Sequence, residues 1–261
     1  MPPRPPRPLS THLILHPRRT LPYNPLRPYH SYEETPPPLC PPAQTAILSA
    51  ALLHVPALGF TNAALAQGAR DAGYRDVSVN LFPRGVLEVA MFYCARERVG
   101  LGERVDFAGG EGARGERGQG QGLGVGAKVR MLVLERLRVN VETGVVGRWQ
   151  EALALMAQPS HVPASLAELA RLADEIWFLA GDASVDSSWY TKRASLASIY
   201  AATELFQTQD QSSAFRDTEH FLERRLEELR VVGGGVRDVV EWVGFTGHGF
   251  VNLLRSKGVR I

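Results

Sequence analysis

From Ala43 onward the apolar residues of this chain recur at three- and four-residue spacing, with no sustained period-two alternation. A helix with one buried side needs that spacing; a strand cannot use it, because strand side chains change face at every residue. The chain is therefore expected to be all-α. A first helix is predicted over 44–54, with Ile47, Leu48, Ala51 and Leu52 inward and Pro56 as its end. Thr61 or Asn62 caps a second helix through Asp71, which Gly73 closes. A short third lies near 76–82. Pro83 opens a longer one through Val99, with Val86, Val89, Ala90, Tyr93 and Cys94 inward. Helices resume over 127–142 and 148–157, the latter with Trp149, Leu153 and Met156 on one face. Ser165 and Glu168 read as a capping box for a helix that runs to Ala180 and stops at Gly181. Asp186, Ser187 or Ser188 caps the next, 189–207, and a last body helix covers 214–231.

Two stretches interrupt this pattern. Residues 1–42 hold 14 of the 18 prolines and no carboxylate before Glu33. Proline fixes φ and removes a backbone donor, so this segment is expected to form no core. An acid-poor, arginine-bearing N-terminus reads as an organelle transit peptide, mitochondrial in type; a proline-rich linker or docking segment is the other reading. Residues 100–126 carry eleven glycines among Arg, Glu and Gln and are expected to be a disordered insertion. Its glycine run, 120–126, lacks the preceding strand and the following lysine-hydroxyl pair of a phosphate loop.

The domain plan is thus a tail (1–42), a helix-turn-helix-like unit with its connecting helix (43–99), the insertion (100–126), a C-terminal helical region (127–232) and a terminal amphipathic helix (236–256). Charge divides along the same lines. The tail holds five arginines against Glu33 and Glu34, a surplus of three, so a formal net charge of +2 leaves residues 43–261 at minus one. A nucleic-acid reader usually needs its own positive field, and the body has none. Cys40 and Cys94 sit in no metal-ligand spacing and are expected to be unpaired thiols; no metal is expected, and no cofactor beyond a bound lipid.

Placed at helical intervals, Val236, Val239, Val240, Val243, Phe250, Val251 and Leu254, flanked by Trp242 and Leu253, share one side of the terminal segment. Arg237, Asp238, Glu241, His248, Asn252 and Arg255 take the other. This helix either packs back on the body or, released by the Gly233–Gly235 joint, adsorbs to a membrane, with Arg255, Lys257 and Arg260 favouring anionic lipid.

Three stretches resemble the mitochondrial ubiquinone (coenzyme Q) biosynthesis lipid-binding family, the "Coq nine" family. They are Ile47–Leu52 with His54-Val55-Pro56, Gly59-Phe60-Thr61 and Leu81–Gly85; Trp149–Ser165 with Pro159-Ser160-His161-Val162-Pro163; and Ala180–Asp182 through Trp189–Arg193 to Ile199-Tyr200, Thr203-Glu204-Leu205 and Asp210. The resemblance covers about residues 45–230. It implies a TetR-like helical bundle with an N-terminal helix-turn-helix-like unit, a C-terminal ligand-binding bundle and a membrane-engaging terminal helix, in which Val239, Val240, Trp242, Val243, Phe250, Val251 and Leu254 meet lipid. It also implies a cavity for an isoprenoid or phospholipid chain. Leu153, Met156, Leu169, Leu172, Ile176, Phe178, Leu196, Ile199, Tyr200 and Leu205 are available to line it, although their spacing serves a filled core equally well.

The resemblance further implies that Asp186, Trp189, Tyr190 and Arg193 form the surface that meets the di-iron demethoxyubiquinone hydroxylase, with Arg193 near a lipid head group. Trp189 and Arg193 are one helical turn apart, a pairing that suits an interface hot spot, a phosphate site or an intramolecular stack. Lys192 stands where relatives commonly have arginine, and Ser187 and Ser188 replace bulkier or amide residues.

The expected function is a membrane-associated accessory protein on the matrix side of the inner membrane, presenting polyprenylated quinone precursors to the hydroxylase within a ubiquinone-synthesis complex. It would be no enzyme: Asp217-Thr218-Glu219-His220 alone cannot build a di-iron site, and no nucleophile elbow occurs. A homodimer is plausible by resemblance. The alternative is a TetR-type ligand sensor that binds DNA, but 74–84, where its recognition helix would lie, offers only Arg75 and Arg84 to phosphates.

Overall fold

The structure, a computed structural model, describes residues 39–105, 107, 123–182 and 188–232. All lie in Pro38–Ile261. Every regular element among them is helical. α1 (Pro42–Leu58) opens on a proline in its first turn, where the ring's fixed φ suits the helix and its missing N–H is no loss. It therefore begins inside the stretch assigned to the tail. It also runs through Pro56 to Gly59, whose N–H reaches Val55 O at 2.8 Å. The helix passes the expected end near Pro56 by two residues, because Leu52 and Val55 are buried and their packing outweighs one lost hydrogen bond.

α2 (Asn62–Asp71) is capped as expected, with the Thr61 hydroxyl accepting from Ala64 N–H. It packs hard against α1: a Cβ on Gly68 would lie 2.4 Å from the Ala51 nitrogen and 2.7 Å from the Ala51 Cβ. A 3-10 turn (Asp76–Leu81) follows. α3 (Leu87–Val99) starts later than Pro83 suggested, because Phe82–Gly85 close a hydrogen-bonded turn first. The expected insertion is corrected at its edges. α4 (Leu101–Arg104) belongs to the folded body, with Leu101 fully buried, and α5 (Val125–Glu142) begins two residues early. Residue 106 and residues 108–122 lie outside the described residues.

α6 (Trp149–Met156) follows a 3-10 turn, and α7 (Val162–Leu179) overturns the capping box. Pro163 sits in the first turn of α7, so the helix starts at Val162 and Ser165 falls inside it. The Ser165 hydroxyl donates to His161 O at 3.0 Å, and Glu168 turns to Arg98 at 2.7 Å rather than back to the chain start. α8 (Ser188–Gln207) and α9 (Arg216–Val232) are joined by a sharp turn in which Ala214 and Phe215 both adopt positive φ.

Apolar burial divides into two clusters. The first joins α1, α2, α3 and α6 around Trp149, which is fully buried and meets Phe60 and Tyr93 edge-on at centroid distances of 5.6 and 5.1 Å. The second joins Leu101 of α4 to α5, α7, α8 and α9 around Leu132, Ile176, Leu196, Ile199 and Leu222. α5 and α8 run through both clusters: Val139 and Leu205 belong to the first, Val133 and Leu196 to the second. Among the described residues no helix is long and apolar enough to cross a membrane.

Candidate functional site

The α7–α8 junction holds the residues for which the sequence suggests a partner surface. Gly181, at φ +84°, ends α7 with a left-handed residue, so the Asp182 N–H turns back to Trp177 O at 3.0 Å. That reversal carries the Asp182 carboxylate to α8, where it accepts from Lys192 Nζ at 2.9 Å and lies 3.8 Å from an Arg193 guanidinium nitrogen. Trp177 in turn donates its indole N–H to Lys192 O at 3.2 Å.

Arg193 stacks on Trp189, its Cζ 3.9 Å from the ring centroid, and its Nε donates to Asp174 at 2.6 Å. Only 12% of its side chain is exposed. Of the roles open to this pair, the structure shows the intramolecular stack. A guanidinium paired with Asp174 and next to Asp182 has little field left for a phosphate, so a head group would have to displace a carboxylate. What faces solvent is aromatic. Tyr190 is 73% exposed, and its ring meets Trp189 edge-on at 4.7 Å. Tyrosine on a rigid, ion-paired base suits an interface anchor, with large contact area and few rotamers to lose. Asp186 lies outside the described residues.

The ten cavity candidates are divided between the two cores. Leu153, Met156 and Leu205 pack in the first; Leu169, Leu172, Ile176, Leu196, Ile199 and Tyr200 pack in the second; Phe178 is half-buried on α7. A cleft of about 520 Å³ is lined by Arg96, Glu97, Gly100, Glu103, Arg104 and Thr143, a polar set that includes none of the ten.

Between the cores lies a buried polar layer that the sequence reading passed over. Asn140 Oδ1 accepts from Tyr93 OH at 2.9 Å and from Arg136 Nη1 at 2.8 Å, and its amide nitrogen donates to Gln207 at 3.2 Å. Gln207 donates to Leu137 O, and Tyr200 OH donates to Glu204 at 2.8 Å. Arg136 is 1% exposed, and its Nε–H has no partner among the described residues. Burial opposes the charge on Arg136, but Tyr200 and Glu204 beside it hold its proton more tightly than in a free arginine. Burial also pushes the Tyr93 phenol and the Cys94 thiol up to about 12, and Tyr200 well above its usual value. A signal was present: Arg136 and Asn140 fall four apart on the same side of α5 as Val129, Leu132 and Val133.

Where a recognition helix would lie in a DNA reader, the described residues form the six-residue 3-10 turn Asp76–Leu81, too short to lie along a major groove. Arg84 is engaged by Glu88. The terminal residues Val239, Val240, Trp242, Val243, Phe250, Val251 and Leu254 lie outside the described residues. Among those described, no cluster of His, Cys, Asp and Glu could hold a metal ion.

These features define an all-helical protein built around two apolar cores, with an aromatic surface held by ion pairs at the α7–α8 junction. Comparison with known proteins narrows that class. The COQ9 family model matches residues 162–233, which contain α7, α8 and α9. A protein of Schizosaccharomyces pombe named "Ubiquinone biosynthesis protein coq9, mitochondrial" is 34% identical over 213 residues, 82% of this chain and 80% of that one. Proteins of corresponding name in Homo sapiens and Drosophila melanogaster are 33% identical over 218 residues and 36% identical over 182. The matches cover 84% and 70% of this chain and 66% and 53% of those relatives. The chain belongs to the COQ9 family.

Proposed function

We propose that this chain is a mitochondrial protein of ubiquinone biosynthesis, a lipid-binding accessory without chemistry of its own. The observation that carries the reading is the relative 34% identical across four-fifths of its length and named for that pathway. The accessory role has a physical logic. A polyprenylated precursor cannot cross water without exposing its tail, and an apolar receptor beside the membrane lowers that cost. In this reading residues 236–256 hold the protein on the inner membrane, the tail lodges among the apolar residues of the C-terminal bundle, and the ring is offered to the demethoxyubiquinone hydroxylase across Trp189 and Tyr190.

The geometry supports Tyr190 as the hydroxylase contact better than Arg193, which is committed to Asp174. The test is capture of the hydroxylase by the full chain and by Tyr190→Asp. Because Tyr190 is exposed, the variant should fold and melt as the parent does while its capture falls about tenfold or more. Undiminished capture would contradict the assignment.

A further inference from the structure

The segment that replaces a recognition helix presents an apolar ridge with no assigned role. Every residue from Gly73 to Val77 is exposed, as are Asn80, Leu81, Pro83 and Arg84. Within it Tyr74 is 39%, Val77 67% and Leu81 45% exposed, following one another at three- and four-residue spacing. Buried partners do not account for these side chains. The inner side of the same turn is served by Phe82, which is buried, and by Val79, which packs against the first core. The ridge is also held in place. Gln44 of α1 donates to Leu81 O at 3.2 Å, Tyr74 N–H reaches back to Ala69 O at 2.8 Å, and Arg70 pairs with Asp76 at 2.8 Å.

Its charges point to one kind of partner. Arg70 is held by Asp76, Arg84 by Glu88, and Asp71 by His54 and Gln67. Arg75, between the tyrosine and the valine, enters no ion pair among the described residues. A few exposed apolar side chains on one short, pinned turn can push between lipid head groups. Tyrosine suits the polar–apolar boundary, and arginine can keep its charge in water while its stem lies along the apolar surface.

From this ridge we infer that Tyr74, Val77 and Leu81 form a membrane contact separate from residues 236–256, with Arg75 directed at anionic head groups. It goes beyond the proposed function in using a different part of the molecule. Two contacts on one chain would act together, each raising the effective concentration of the other at the surface.

The test is partition of the full chain onto vesicles of phosphatidylcholine alone and of phosphatidylcholine with phosphatidylglycerol. Val77→Asp/Leu81→Asp should keep the parent's circular dichroism and melting profile while partition falls about tenfold on both vesicles. Arg75→Glu should weaken only the phosphatidylglycerol arm. A ridge variant that partitions as the parent does overturns the inference, whether or not the ridge then proves to bind protein. An Arg75→Glu variant with no effect overturns the charge argument that selects lipid. A third full-length variant, Val240→Asp/Phe250→Asp, separates this contact from the terminal one. If it alone loses binding, the terminal contact stands and the ridge falls; if only the ridge variant loses binding, the reverse holds.

Discussion

Asn140 joins three helices across the interior. It accepts from both Tyr93 and Arg136 and donates to Gln207, tying α3, α5 and α8 at the boundary of the two cores. Removing it strands a buried guanidinium that already has one N–H without a partner among the described residues. Asn140→Ala should therefore cost about 3 kcal/mol in urea unfolding, more than its small volume implies. A loss under about 1 kcal/mol would mean that the layer contributes little cohesion. Asp210 acts just past the same end of α8, in the turn to α9. Its carboxylate accepts from Ser212 N–H and from both Thr218 N–H and Thr218 Oγ1. Partial burial pushes this carboxyl up, but the hydrogen bonds from Thr218 and Ser212 outweigh it and hold it below the ordinary aspartate range. A depressed folded-state value gives stability that is present above the unfolded value and lost as pH falls through the folded one. Asp210→Ala should thus cost about 1 kcal/mol at neutral pH, with the gap to the parent closing below about pH 4. Urea unfolding across pH 3–7 checks this, and a pH-independent gap would count against it.

At the scale of elements, contact between α1 and α2 depends on Gly68. Gly68→Ala would drive a methyl into the Ala51 backbone, which cannot rotate away, so the melt should show a loss of about 2–3 kcal/mol. A silent substitution would mean that the two helices lie farther apart. Helices were legible in the sequence wherever a buried stripe repeated over several turns. Thr61 at the start of α2 and Gly181 at the end of α7 were legible because their local chemistry acts alone. Ser165 and Glu168 misled because a capping box is only a spacing. Pro163 set the helix start upstream, and Arg98, distant in sequence, claimed the glutamate. Leu101 was hidden by the glycines around it, since a four-residue helix carries no periodicity to read. Trp189 and Arg193 were legible as neighbours, but Asp174, nineteen residues away on α7, decides what the arginine can do.

At the scale of the molecule, two apolar clusters share α5 and α8 and meet at a polar layer, and the ten cavity candidates fall on both sides of it. Spacing marks a residue as inward but does not say which core it joins, so their division was not readable in advance. The ubiquinone role rests on family membership, and the lipid role on whether this body carries lipid at all. The most direct measurement is mass spectrometry of lipids extracted from the full-length protein purified from mitochondria. The account predicts a polyprenylated quinone precursor or a phospholipid at a substantial fraction of one per chain, enriched over a soluble matrix protein prepared in the same way. Protein that carries no lipid above that background would contradict it.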